Sequence, residues 1–152
     1  EIKASIEQHL VADVPMGLFY SGGIDSSIIL SETGAFIDPF TIKSSEDDYR
    51  QSGMTSDYRY AVEIAKHFQS GLTSIALDQQ EEGDTGFLDL VEEVALGNEE
   101  LMADFTFQSS KLLSAKVRAK GFIVMLSGMG ADEIFGGYPL INLDDHLTKF
   151  EK

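Results

Sequence analysis

Seven residues near the start of the sequence, Ser-Gly-Gly-Ile-Asp-Ser-Ser at 21–27, combine the groups that bind phosphate. The two glycines leave the backbone open to close approach, while serine hydroxyls and backbone N–H groups donate hydrogen bonds. An apolar run at 16–20 predicts a short buried strand before this turn, and the apolar spacing after Ile28 predicts a helix. The N–H groups of such a turn point outward at a helix N-terminus, where anions bind.

An ordinary structural turn is the alternative interpretation, because Asp and Ser are common helix N-caps and Gly-Gly is a common turn. The run contains more polar groups than one cap needs, which favours phosphate binding. It lacks the Gly-Lys-Ser/Thr ending of a Walker loop and the third glycine of a Rossmann fingerprint. The sequence therefore predicts a phosphate loop of another kind.

A second glycine-rich turn, Ser-Gly-Met-Gly-Ala-Asp-Glu at 127–133, follows an apolar run at 122–126. If the strand before it lies beside the first strand, both turns line one crevice at the carboxyl ends of the sheet. Asp25 and Asp132 would then face one ligand, and Mg²⁺ prefers carboxylate and phosphate oxygens. Taken alone, Asp132 and Glu133 are equally well explained as acids in the first turn of a helix. Together the two turns favour a site for Mg²⁺ and a nucleoside triphosphate.

Apolar periodicity predicts the elements that hold these turns. An amphipathic helix precedes the strand at 16–20, and further strands are expected at 36–42, 73–77 and 122–126. Helices are expected at about 26–32, 57–69, 87–94 and 104–120, and the polar residues 44–56 predict a surface loop. This alternation predicts an α/β fold, with a parallel, doubly wound sheet and helices on both faces in three layers.

Composition limits the classes of function. The 152 residues suffice for one domain with a sizeable core, and 43% of them are hydrophobic. With 26 acidic and 11 basic residues, the net charge of −15 would repel nucleic acid, and no basic stripe offsets it. The sequence has no cysteine, no apolar run long enough to span a membrane and no signal-peptide pattern. We therefore expect a cytoplasmic protein that binds neither nucleic acid nor membranes.

The two turns also carry a family resemblance. The first resembles the pyrophosphate loop of ATP-pyrophosphatases, which adenylate a substrate and release pyrophosphate. The second, SGMGADEIFGGY at 127–138, resembles the SG-x-G-(A/S)-D-E-x-FGGY signature of the synthetase domain of glutamine-dependent asparagine synthetases and β-lactam synthetases. VADVPMGLFYSGGIDSSI at 11–28 is similar to the same family along its length. The resemblance implies an adenine nucleotide alpha-hydrolase-like domain over residues 1–152.

Carried over by position, the resemblance implies a set of site residues. The phosphates of ATP would be held by Ser21, Gly22, Gly23, Asp25, Ser26 and Ser27, and the adenosine would be bordered by Phe19, Ile42, Ser127 and Gly128. Mg²⁺ would be bound by Asp25 and Asp132, and Glu133 is a further catalytic candidate. Residues 99–104, EELMAD, lie where the family usually has DEPxAD, which makes Glu100 another catalytic candidate.

Three departures from the family pattern bear on activity. Asparagine synthetases of the family have a glutamate, credited with general acid/base catalysis, where this chain has Met129. The family's C-terminal helices, which carry a lysine near the leaving pyrophosphate, would lie beyond Lys152. The N-terminal glutaminase domain, with its cysteine nucleophile, is not in the sequence. We therefore expect the chain to be a fragment or an excised domain.

The resemblance implies that the carboxylate of aspartate or an analogue attacks the α-phosphorus of MgATP to give an acyl-adenylate and pyrophosphate. Ammonia released from glutamine would then form the amide. The partners expected are the acid substrate, a glutaminase domain in the full-length protein and a second copy in a homodimer. Two other functions stay open. One is another pyrophosphate-loop enzyme, β-lactam synthetase-like or tRNA-modifying, and the other is a nucleotide-binding or assembly domain without catalysis.

Overall fold

The computed structural model describes residues 1–43, 57–76, 92, 95–97 and 106–137. Four strands of these residues form a parallel sheet: β1 Met16–Phe19, β2 Asp38–Lys43, β3 Thr73–Ala76 and β4 Val124–Ser127. The helices are α1 Ile2–His9, α2 Ile24–Thr33, α3 Asp57–His67, α4 Thr106–Ala119 and α5 Ala131–Phe135. The predicted α/β fold with a parallel sheet is confirmed.

Helices cover both faces of the sheet, because consecutive residues of a strand point to opposite sides. On one face Leu18 and Tyr20 pack with residues of α2 and α3, Leu30 and Ala61 among them. The other face packs against α4, and its buried residues are Phe40, Ile75, Leu113 and Val117. Phe122 also contacts Phe40 edge to face at 4.8 Å between ring centroids, an arrangement worth about 1 kcal/mol beyond burial.

In the strand order β3-β2-β1-β4, the direction in which successive strands are added to the parallel sheet reverses at β1. From β1 the chain moves outward to β2 and β3, and it then returns to the opposite side of β1 to form β4. In the β1–β4 register Phe19 lies opposite Ser127, so the two strands end at the same level. The fourth strand thus lies beside the first. This is the arrangement that we expected to bring both glycine-rich turns to one crevice.

Some element boundaries differ from the prediction. The second strand begins at Asp38 because Gly34–Phe36 form a short 3-10 helix, which leaves the side chain of Phe36 91% exposed. The second helix begins at Ile24, so Asp25 already lies in its first turn. The loop expected at 44–56 lies outside the described residues, as does nearly all of the helix expected at 87–94. None of the described helices is long and apolar enough to cross a membrane.

Candidate functional site

The two glycine-rich turns meet at the carboxyl ends of β1 and β4. A Cβ atom added at Gly128 would lie 2.9 Å from Asp25 Cβ and 3.0 Å from the backbone nitrogen of Ser26. These distances are shorter than the roughly 3.5–4.0 Å at which carbon atoms pack best. The turn after β4 therefore rests directly on the first turn of α2, which leaves no room for a side chain at residue 128.

We expect Gly128→Ala to push the two turns apart. Overpacking of this kind costs about 1–3 kcal/mol, which corresponds to roughly 5- to 150-fold in affinity if the cost falls on the bound geometry. Titration calorimetry with MgATP measures the loss. Gly71→Ala is the matched control, because an added Cβ at Gly71 meets no atom within 4 Å. Equal MgATP affinity in the two variants would show that the contact between the turns does not matter for binding.

Serine hydroxyls hold the first turn together from within. The Ser26 hydroxyl, whose residue is 5% exposed, donates to the Gly23 carbonyl oxygen at 3.2 Å. The Ser21 hydroxyl therefore donates to Ser26 Oγ at 3.1 Å, and it accepts from the Gly23 N–H at 3.2 Å. With both hydroxyls engaged in the loop, Ser26 would offer a phosphate its backbone N–H.

The first turn of α2 supplies backbone donors that no other described residue uses. Ile24, Asp25 and Ser26 are its first three residues, and an α-helix leaves such N–H groups without an intrahelical acceptor. Gly23 is the N-cap and provides no side chain, and no described residue accepts a hydrogen bond from these three groups. The helix dipole adds a partial positive charge at the same place. This end of α2 is suited to an anion.

A hydrogen bond between the buried Tyr20 and Ser27 links the end of β1 to the first helix turn after it. The Tyr20 hydroxyl lies 3.3 Å from Ser27 Oγ, and the ring is almost fully buried. Burial raises the pKa of the Tyr20 phenol above its ordinary value, while the hydrogen bond to Ser27 opposes this shift. The phenol therefore stays protonated at neutral pH and remains a hydrogen-bonding partner for Ser27.

A cavity of about 530 Å³, here called the carboxyl-edge crevice, opens where the two turns meet. The predicted site residues that line it are Phe19, Ser21, Asp25, Ser26, Ile42, Ser127, Gly128, Asp132 and Glu133. Gly22, Gly23 and Ser27 are not among the lining residues, and Glu100 lies outside the described part of the chain. The structure thus brings both turns and the proposed adenosine side into one cavity.

Sequence reasoning missed several lining residues. Asp57 and Tyr58 reach the crevice from α3, and Ser109 and Ser110 reach it from α4. Helices that follow strands in a parallel sheet begin at the carboxyl edge, where ligands bind. Since α3 is the first described helix after β2, its first residue, Asp57, could have been identified as more than a helix cap. Nothing in the sequence pattern distinguished the two serines from other polar residues of an amphipathic helix.

The charged side chains that line the crevice are acidic, although no three histidine, aspartate or glutamate side chains of the described residues are grouped closely enough to hold a metal ion by themselves. Four carboxylates line the crevice, from Asp25, Asp57, Asp132 and Glu133, and its described lining includes no lysine or arginine. Asp132 and Glu133 also lie in the first turn of α5, as the helix-terminus interpretation of this pair predicted. A polyphosphate would be repelled by these carboxylates unless a divalent cation entered with it. Asp25 and Asp132 have the hard oxygen atoms that Mg²⁺ prefers.

Comparison with known proteins identifies a family. The family model described as "Asparagine synthase" matches residues 1–152. The glutamine-hydrolyzing asparagine synthetase B of Escherichia coli K12 is 31% identical over 153 residues, which cover 90% of this chain and 26% of that protein. The glutamine-hydrolyzing asparagine synthetase 3 of Bacillus subtilis 168 is 32% identical over 159 residues, covering 96% and 25%. The chain therefore spans about a quarter of the length of these relatives.

Proposed function

Because the chain belongs to the asparagine synthase family, we propose that it binds ATP in the carboxyl-edge crevice and promotes transfer of AMP to a substrate carboxylate. The observation that carries this proposal is the contact of Gly128 with Asp25 and Ser26, which joins the two glycine-rich turns. A phosphate loop alone would fit many nucleotide-binding proteins. A second acidic turn on the same crevice fits metal-assisted adenylation.

The proposed pose follows the polarity of the crevice. The triphosphate would lie at the start of α2, where the N–H groups of Ile24, Asp25 and Ser26 have no acceptor among the described residues. Phe19 and Ile42 give the adenosine an apolar side, at the ends of β1 and β2. Each end of the nucleotide thus meets groups of matching chemistry, which is how a preformed cavity orients its ligand.

We propose that Asp25 and Asp132 hold Mg²⁺ together with phosphate oxygens and water. An octahedral ion has six ligands. When Mg²⁺ binds with a nucleotide, the protein usually supplies only one or two carboxylates, and phosphate oxygens and water supply the rest. When bound, the ion neutralises phosphate charge that the acidic crevice would otherwise repel. Asp25 would hold the ion from α2 and Asp132 from α5.

In the proposed reaction a carboxylate oxygen of the substrate attacks the α-phosphorus of ATP. The bond from that phosphorus to the bridging oxygen breaks, and pyrophosphate leaves with the electron pair. Ammonia then attacks the acyl carbon, AMP leaves, and an amide forms once a proton is removed from nitrogen. The chain contributes alignment and charge stabilisation, which are the main needs of such transfers. Glu133 and Glu100 are our candidates for the proton acceptor.

We further propose that the chain is the ATP-binding part of a longer protein. Its relatives are named as glutamine-hydrolyzing enzymes, and the chain covers about a quarter of their length. In that protein a separate glutaminase domain would supply the ammonia, and aspartate or an analogue would be the acid. The chain itself has no cysteine that could serve as the thiol nucleophile of glutamine hydrolysis.

Asp25→Asn is expected to weaken binding of MgATP without weakening binding of metal-free ATP. The amide loses the charge that holds Mg²⁺, so affinity for MgATP should fall by at least the roughly 10–100-fold typical of altered metal-site partners. Affinity for metal-free ATP should stay unchanged or rise, because a repulsive charge near the phosphates is removed. Titration calorimetry with Mg²⁺, and with EDTA in its place, gives both values.

Asp38→Asn is the control for this test. Asp38 is exposed at the start of β2, the amino end of the strand, and it does not line the crevice. The variant changes net charge by the same amount and should bind both forms of ATP normally. If Asp25→Asn weakens MgATP and free ATP equally, Asp25 does not hold the metal.

A further inference from the structure

One carboxylate of the carboxyl-edge crevice has no role in the proposed reaction. Asp57, the first residue of α3, is exposed and lines the crevice. Its side chain forms no ion pair or hydrogen bond with the other residues that the structure describes. Within that part of the chain it also belongs to no group of three acidic or histidine side chains that could hold a metal ion. Both carboxylate oxygens of Asp57 can therefore accept hydrogen bonds from a bound ligand.

Two contacts hold the start of α3 beside the phosphate loop. Ala61 packs on Gly22, where an added Cβ would lie 2.5 Å from the Ala61 backbone nitrogen. The Tyr58 hydroxyl lies 3.0 Å from Ser74 Oγ, which ties α3 to β3. Asp57 precedes Ala61 by about one helical turn, or roughly 6 Å along the axis. The position of Asp57 is thus set by its helix, and its own side chain is not needed for this.

The surroundings of Asp57 indicate which part of ATP it would meet. Its helix is the first described helix after β2, and Ile42, near the end of β2, borders the proposed adenosine side. A carboxylate repels phosphate oxygens, so Asp57 is unsuited to the triphosphate itself. The ribose, between base and phosphates, carries two hydroxyls that donate hydrogen bonds. In dinucleotide-binding folds, which also place phosphate at the turn after the first strand, an acidic residue farther along the chain accepts from a ribose hydroxyl.

We propose that Asp57 accepts hydrogen bonds from the 2′- and 3′-hydroxyls of the ribose and makes the crevice selective for ribonucleotides. This inference rests on the proposed binding of ATP in the crevice. A carboxylate suits two neighbouring hydroxyls, because each of its oxygens can accept from one of them. Hydrogen bonds to an ionised acceptor are also about twice as strong as neutral ones. The contact would orient the nucleotide, since it holds the sugar between the base and the phosphates.

A nucleotide that lacks both hydroxyls, 2′,3′-dideoxy-ATP, tests the proposal. Titration calorimetry of the full 152-residue chain with Mg²⁺ gives the affinities for ATP and for this analogue. We expect the unmodified chain to bind ATP roughly 10- to 150-fold more tightly, the range expected for hydrogen bonds to a charged group. Asp57→Ala should abolish this preference. Because the preference is a ratio measured within one protein, a general loss of stability does not change it.

Glu63→Ala is the matched control for Asp57→Ala. Glu63 lies on the same helix, is exposed and does not line the crevice, so its variant should keep the full preference for ATP. Asp57→Asn is a milder change that keeps the size of the side chain. It should retain part of the preference, because a neutral oxygen accepts hydrogen bonds more weakly than a charged one.

Three results would overturn the proposal. The first is an equal preference for ATP in the unmodified chain and in Asp57→Ala. The second is an equal loss of affinity for both nucleotides in Asp57→Ala, which would show that Asp57 supports the shape of the crevice and does not bind ribose. The third is binding of MgATP by the unmodified chain without preference over the analogue, which would leave the proposed function standing. Absence of MgATP binding would instead overturn the proposed function and this inference together.

Discussion

In the proposed full-length protein, Met129→Glu is expected to raise asparagine formation from aspartate. A positioned base commonly contributes on the order of 10²–10⁴-fold to a proton transfer, and a thioether cannot accept a proton. Met129 is 82% exposed and lines the carboxyl-edge crevice, so a glutamate there has room and borders the proposed ATP site. Product analysis with ammonia as the nitrogen source measures the change.

Adenylation should be the same in both proteins, because it depends on Asp25, Asp132 and the amides of α2. Exchange of labelled pyrophosphate into ATP reports that step separately from amide formation. Met129→Gln is the matched control, since it has the shape of glutamate but accepts no proton, and it should not raise asparagine formation. Efficient asparagine synthesis by the unmodified protein, unchanged or lowered by Met129→Glu, would contradict this prediction and show that methionine is a neutral variant.

Pyrophosphate exchange also separates the proposed enzyme from a domain that only binds nucleotide. Such a domain is the second candidate, and the exposed thioether of Met129 in place of a carboxylate is the observation that favours it. A non-catalytic domain would bind MgATP yet exchange no pyrophosphate with any acid. Exchange with one acid and not with others would instead identify the substrate, because the acyl-adenylate forms only on a correctly placed carboxylate.

The fold was predictable where local pattern and tertiary packing agree. The run ending at Phe19 is apolar and short, and it forms a strand because its two faces are covered by helices. The start of β2 was placed too early, because Phe36 looks like a buried strand residue but projects into solvent from a 3-10 turn. Apolarity alone cannot locate a boundary that a glycine-containing turn decides.

The position of the crevice was predictable from the two glycine-rich turns and from topology, whereas the roles of its residues stay predictions. Parallel strands end at one edge, and β4 beside β1 brings Asp132 to the same crevice as Asp25. The roles of individual glycines were less predictable. Gly22 was expected to hold phosphate, but it is not among the residues that line the crevice. Which glycines approach a ligand and which approach the protein depends on helix packing that the sequence pattern does not contain.

Gly22→Ala is therefore expected to destabilise the fold more than it alters the crevice directly. Gly22 has a φ of +83°, and an added Cβ would lie 2.5 Å from the backbone nitrogen of Ala61 and 2.7 Å from its Cα. The left-handed backbone costs an L-residue about 1–2 kcal/mol, and overpacking against a helix backbone adds about 1–3 kcal/mol. The unfolding midpoint should fall by roughly 5–15 °C, as measured by thermal denaturation.

Gly121→Ala measures the first of these costs, that of the left-handed backbone, by itself. Gly121 has a similar φ of +94°, but an added Cβ meets no atom within 4 Å. It should therefore show only the backbone cost, a fall of a few degrees in the midpoint. The excess loss in Gly22→Ala measures the contact that holds α3 against the phosphate loop. Since α3 carries Asp57 and Tyr58 to the crevice, MgATP affinity should fall with that excess. Equal midpoints for the two variants would mean that the loop shifts freely and that Ala61 does not fix its position.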